Sequence, residues 1–113
     1  MGTCGMCETR ATGRELLDCR QSRDPGGAFA RASYRTMARA NSLLGFRRRL
    51  REFVAREAPR VPGSRPLRVL DMGAGDCSLA IDTLLWARRQ GLSVAFACVE
   101  PNEHGLYLAR SRL

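Results

Sequence analysis

Two glycines and two acids in the C-terminal half of the chain have the types and spacing of a ligand cradle. Asp71 stands just before Gly73-Ala74-Gly75, and Glu100 follows the next apolar run. Glycines at the end of a strand let the backbone turn sharply and let a ligand approach it closely. A helix that begins after such a turn aims its unpaired N–H groups into the same crevice. A carboxylate at the end of a neighbouring strand can accept hydrogen bonds from two adjacent ribose hydroxyls, which an amide or a single hydroxyl matches poorly. The chemistry these residues offer is recognition of a nucleoside ligand.

The elements that must position them follow from periodicity. Leu67–Met72 is a short apolar run fit for a buried strand, and Ser93–Glu100 is a second one ending on the acid. Between them a helix from about Cys77 to Gln90 carries Leu79, Ala80, Thr83, Leu84 and Ala87 on its inner face, with Gly91 closing it. Pro101-Asn102 turns the chain, Asn102 caps the last helix, and Glu103–Arg112 packs inward through Leu106, Tyr107 and Ala109. Strand, glycine loop, helix, strand, helix is a βαβα unit, so the fold class is α/β. Upstream, Ala28–Leu44 is helical, with Tyr34, Met37, Ala38, Asn41 and Leu44 on one face and Gly45 as its stop. Phe46–Arg56 is a second helix with an apolar stripe of Phe46, Leu50, Phe53 and Val54, and Arg47, Arg48, Arg49 and Arg51 on its solvated side. Pro59, Pro62, Gly63 and Pro66 break regular structure. Three units result: a tail over 1–27 with a weak helix near Gly13–Arg20, a helical cap and linker over 28–66, and a ligand-binding domain over 67–113.

The acid beside the loop separates two ligand classes. Nicotinamide dinucleotides favour G-x-G-x-x-G, and the third glycine position here is Ser78. Their pyrophosphate also gains nothing from Asp71. S-adenosylmethionine has no phosphate and carries a free ammonium, which acids near the loop favour. The segment LRVLDMGAGDCSLA over 67–80 resembles motif I of the class I S-adenosylmethionine-dependent methyltransferases: an apolar strand, an acid, then G-x-G-x-G. VAFACVEP over 94–101 resembles that family's second strand, with Glu100 at its ribose-binding acid, and SYRTMARANSLLG over 33–45 is similar to a helical lead-in of one bacterial subgroup. The resemblance implies a partial Rossmann-like methyltransferase fold preceded by an N-terminal helical segment. It implies a cofactor site at Asp71, Gly73, Ala74, Gly75, Glu100 and Pro101, with Asp71 orienting the methionine end. Asp76 is a minor loop candidate. Tyr34 and Asn41 read as core packing.

Two departures accompany the likeness. The third glycine of G-x-G-x-G is Cys77, a side chain small enough to fit. The family's sheet has seven strands and this sequence supplies two, so a truncated protein is expected, with an exposed sheet edge, weak or no cofactor binding and no turnover of its own. Direct methyl displacement needs an acceptor aligned with the sulfonium methyl, and no catalytic residue is assigned; His104 has no partner that argues for one. The acceptor, whether small molecule, protein or RNA, is left open.

Composition bounds the rest. The 113 residues are 44% hydrophobic and 27% charged, enough for one small folded unit. No apolar run spans a bilayer and MGTCGMCETR is no secretory signal, so a soluble cytoplasmic protein without a membrane partner is expected. All 19 basic residues are Arg and the net charge is +8, which suits an alternative reading as a non-enzymatic RNA- or protein-binding module. A nicotinamide-dinucleotide-binding fragment is the third. Cys4-Gly-Met-Cys7 has half a zinc-knuckle spacing with Cys19 nearby, but lacks a second pair, so no metal is expected; Cys98 reads as a small buried hydrophobe.

Overall fold

The computed structural model describes residues 27–112. The expectations for Cys4, Cys7, Cys19 and the Gly13–Arg20 helix lie outside these residues. The described chain is α/β: four helices and a two-stranded parallel sheet. Helices α1 (Ala28–Leu43) and α2 (Phe46–Glu57) are separated only by Leu44-Gly45. One 3-10 turn (Ala58–Arg60) follows, where Pro59 supplies no N–H donor to continue an α-helix. Strand β1 (Leu67–Met72), helix α3 (Ser78–Arg89), strand β2 (Val94–Val99) and helix α4 (Glu103–Arg110) complete the order. None of the described helices is long and apolar enough to cross a membrane.

The two strands pair in parallel from Leu67↔Val94 to Met72↔Val99, a pairing that requires a crossover, here α3. Burial alternates along both. Leu67, Val69 and Asp71, with Val94, Phe96 and Cys98, lie on the covered face. The other face is open: Leu70 is 61% and Met72 75% exposed. The expectation of buried strands is therefore corrected. An unbroken apolar run says that both faces can be buried, and among the described residues a layer covers only one.

The core is built from small side chains. Val54 of α2 and Ala80, Thr83 and Ala87 of α3 are all nearly inaccessible to solvent where the two helices pack together, and Ala30 and Tyr34 are buried on α1. Of the inner face expected for α3, Ala80, Thr83 and Ala87 are buried, whereas Leu79 and Leu84 are half-buried. Charge also joins α2 to α3: Arg47 pairs with Asp82 at 2.8 Å, and the Arg51 guanidinium lies 5.6 Å from the centre of the Trp86 ring. This corrects the view of the α2 arginines as merely solvated, because a guanidinium on a long stem can pack across a helix interface while keeping its charge partly wet. Tyr107, expected inward, is 69% exposed; Ala109 of the same helix is buried. Met37, Leu44, Phe46 and Phe53 are exposed as well.

Boundaries shift by a residue or two where caps decide them. Cys77 adopts a left-handed conformation (φ +53°), so α3 starts at Ser78. Ser93 and Glu100 flank β2 without extending it, and α4 stops at Arg110.

Candidate functional site

The site forms where β1 and β2 end side by side. Asp71 is the last covered-face residue of β1, and beyond Met72 the chain bends at once. The bend is fastened to β2 by its own amides: Gly73 and Ala74 both donate to the Val99 carbonyl, at 2.8 and 3.1 Å. The next amide, Gly75, donates to Oε2 of Glu100 at 2.7 Å. The other carboxylate oxygen, Oε1, accepts from the Asn102 N–H at 2.8 Å. Glu100 therefore holds the glycine bend and the start of α4 together. Asn102 in turn caps α4, accepting from His104 N–H at 3.0 Å and Gly105 N–H at 3.4 Å, as expected from its type.

Tyr34 of α1 packs onto this knot from above. Gly75 has φ +58°, and a Cβ there would sit 3.0 Å from Tyr34 Cε1. Gly105 of α4 approaches as well: a Cβ there would lie 2.7 Å from the Gly75 carbonyl oxygen, 2.9 Å from the Tyr34 hydroxyl and 3.0 Å from Glu100 Cγ. Only hydrogen fits at that crossing. Sequence reading missed Gly105. The available signal was a glycine inside a helical pattern, which lowers helix stability unless a close approach needs it.

Asp76 and Cys77 complete the loop. Asp76 is 4% exposed; its Oδ1 accepts from Ser78 N–H at 3.1 Å and its Oδ2 pairs with Arg112 at 2.6 Å. The capping role weighed for it is present, with an ion pair added. Cys77 occupies the third position of the glycine pattern in a left-handed conformation, which strains a residue bearing a Cβ by about 1 kcal/mol. Its buried thiol and that of Cys98 lie within reach of each other. Burial raises both, the Cys98 thiol to about 12, with the Asp71 charge adding to the effect.

Against α1 the loop leaves a cleft of about 110 Å³. Its walls are Tyr34, Met37, Ala38 and Asn41 of α1, Asp71 of β1, loop residues 73–76, and Ser78 and Leu79 of α3. Asp71, Gly73, Ala74 and Gly75 thus come together as expected, and Tyr34 and Asn41 join them. Glu100 contacts Gly75 but is not part of the cleft wall, and Pro101 is exposed beyond it. The geometry divides the six predicted residues into a cleft group of four and a flanking pair.

The electrostatics of the loop are unusual for an anion cradle. The amides of Gly73, Ala74, Gly75, Cys77 and Ser78 all have acceptors within the protein. Three carboxylates, Asp71, Asp76 and Glu100, surround them, and only Asp76 has an ion-pair partner among the described residues. A phosphate would find few free donors here and a cation would find acceptors. No group of His, Cys, Asp and Glu among the described residues is arranged to hold a metal. Comparison with protein-family models, with curated proteins and with solved structures finds no match to this chain.

Proposed function

We propose that this chain is the cofactor-binding part of a class I S-adenosylmethionine-dependent methyltransferase, with a Rossmann-like βαβα unit under a helical cap. The observation that carries the reading is the Glu100 carboxylate on the Gly75 amide at 2.7 Å, at the paired ends of β1 and β2. That contact sets a strand-end acid against the glycine bend, as a ribose-binding acid requires. Each oxygen of Glu100 spends one lone pair on a backbone N–H and keeps another for a ligand hydroxyl.

In this reading Asp71 and Asn41 face the amino-acid end of the cofactor in the cleft. Asp71 meets its ammonium, and the Asn41 amide suits its carboxylate. Gly73, Ala74 and Gly75 give the backbone surface on which the cofactor lies, and Glu100 with Pro101 bounds the ribose side. The cleft is smaller than the roughly 300–1,000 Å³ usual for a complete small-molecule site, so it accommodates one end of the ligand and binding is weak. When bound, the cofactor supplies a sulfonium methyl to a nucleophilic acceptor. The occupied loop amides argue against the dinucleotide alternative, since a pyrophosphate depends on free donors at that turn.

Amide NMR titration separates the two ligands. Saturable shifts at residues 73–75 with S-adenosylhomocysteine, and none with NAD, are expected. Equal shifts with NAD, or none with either ligand up to about 5 mM, a concentration above the range of even weak specific binding, would count against the assignment.

A further inference from the structure

The formal charge of the chain sits in one module. Residues 28–66 hold ten arginines and two glutamates, a net +8, whereas residues 1–27 hold four arginines and four acids and residues 67–113 five of each. Both glutamates of the module are engaged: Glu52 with Arg48, and Glu57 with Arg56 and Arg60. Arg31, Arg35 and Arg39 of α1 are in no ion pair among the described residues. At about 100° and 1.5 Å per residue they occupy an arc of about 80° with a step of about 6 Å along the helix. Ser42 falls in the same arc. It also lines a cleft of about 420 Å³ with Arg47, Arg48, Arg51, Glu52, Ala55 and Trp86. In that cleft the Arg51 guanidinium lies over the Trp86 indole, 5.6 Å from the ring centre. The stripe therefore leads into a concave site walled by guanidinium groups and an indole plane.

We propose that this stripe and cleft form a binding track for single-stranded nucleic acid, with phosphates along Arg31, Arg35 and Arg39 and a base lodged beside Arg51 and Trp86. The cleft volume is of nucleotide size, and arginine and indole planes stack bases of any sequence. A bilayer surface is the poorer fit, because the arc intersperses its arginines with Ala28 and Ser42 rather than with large apolar side chains that enter lipid. The proposal stands apart from the cofactor reading and does not need it.

Fluorescence anisotropy of the whole chain with labelled oligouridylate and oligothymidylate of about 12 nucleotides, beside phosphatidylserine vesicles, tests it. The triple variant R31Q/R35Q/R39Q keeps the wild-type circular dichroism, binds at least about tenfold more weakly at low salt, and loses about 2 from the log–log salt slope, at roughly 0.7 per phosphate contact. Arg51→Gln weakens binding separately, by several-fold. Arg68→Gln, on the open face of the sheet away from the helices, stays within about twofold of wild type. Tighter binding of the uridylate identifies RNA as the natural source; equal binding of both oligonucleotides supports the track for either. Wild-type affinity in the triple variant, an equal loss in Arg68→Gln, or binding of vesicles but of neither oligonucleotide overturns it.

Discussion

Glu100 reaches back from the end of β2 to the Gly75 amide, 2.7 Å away, while its second oxygen takes the Asn102 amide at 2.8 Å. One side chain thereby joins the first strand's loop to the last helix. Any ligand that uses Glu100 binds a group already fixed in place.

Glu100→Gln keeps the shape but replaces one acceptor oxygen with a donor. One of the two amides then faces an NH2 group in a part-buried position. The expected loss is about 1–3 kcal/mol, seen as a fall in Tm of roughly 5–15 °C for a unit of this size. Thermal unfolding followed by circular dichroism measures it, and an unchanged Tm would show that the latch contributes nothing.

Gly105 and Gly73 differ in why they are glycine. At Gly73 a Cβ meets nothing within 4 Å, but φ is +74°, so Gly73→Ala loses about 1–2 kcal/mol through backbone strain alone. At Gly105 the Cβ would meet the Gly75 carbonyl at 2.7 Å, and backbone cannot step aside as a flexible side chain would. Gly105→Ala is expected to lose about 2–3 kcal/mol despite its better helix propensity, and to shift the Gly75 amide resonance. Urea unfolding of the two variants, with their amide spectra, distinguishes strain from collision.

Much of this was legible in the residues, and the failures have physical causes. The strands, the crossover helix, the Asn102 cap and the meeting of Asp71, Gly73, Ala74 and Gly75 follow from periodicity and turn chemistry, which are local. The open outer face at Leu70 and Met72 was not legible in the strand pattern, because an apolar run does not say whether a second layer is present. The Tyr34–Gly75–Gly105 stack was not legible either. It depends on three segments distant in sequence, and each residue has a bland local reading. Arg47 and Arg51 were read as solvent-facing because pairing with Asp82 and Trp86 arises only once α2 and α3 dock.

The Asp76–Arg112 pair ties the loop to the end of α4 at 2.6 Å. Asp76 is buried and Arg112 is partly exposed, so solvent screening reduces the attraction below that of a fully buried pair. A double-mutant cycle with Asp76→Asn and Arg112→Gln should return a coupling of about 1–2 kcal/mol. A coupling near zero would mean that Asp76 acts only through its bond to Ser78.

The thiols set an alkaline limit. Burial raises Cys98 to about 12 and Cys77 above its ordinary value, so in the folded state both hold protons that the unfolded chain gives up near pH 9. The sign is unambiguous: below about pH 9 the protein has its full stability, and as pH rises from 9 towards 12 stability falls, by at most about 1.4 kcal/mol per pH unit for each thiol. Half-burial of Cys98 reduces that figure. The chain has no lysine to titrate in the same window. Urea unfolding at pH 8 and pH 10 should show the loss, and Cys98→Ala should flatten it.

Equilibrium dialysis of labelled S-adenosylmethionine against the wild-type chain and Asp71→Asn tests whether Asp71 holds the cofactor. Wild type is expected to bind weakly, with Kd near 1 mM, and the variant at least about fivefold more weakly, since a lost charge-assisted contact is worth roughly that factor or more. Equal retention of the cofactor by both proteins, or none by wild type, would contradict a cofactor site built on Asp71 and the glycine bend.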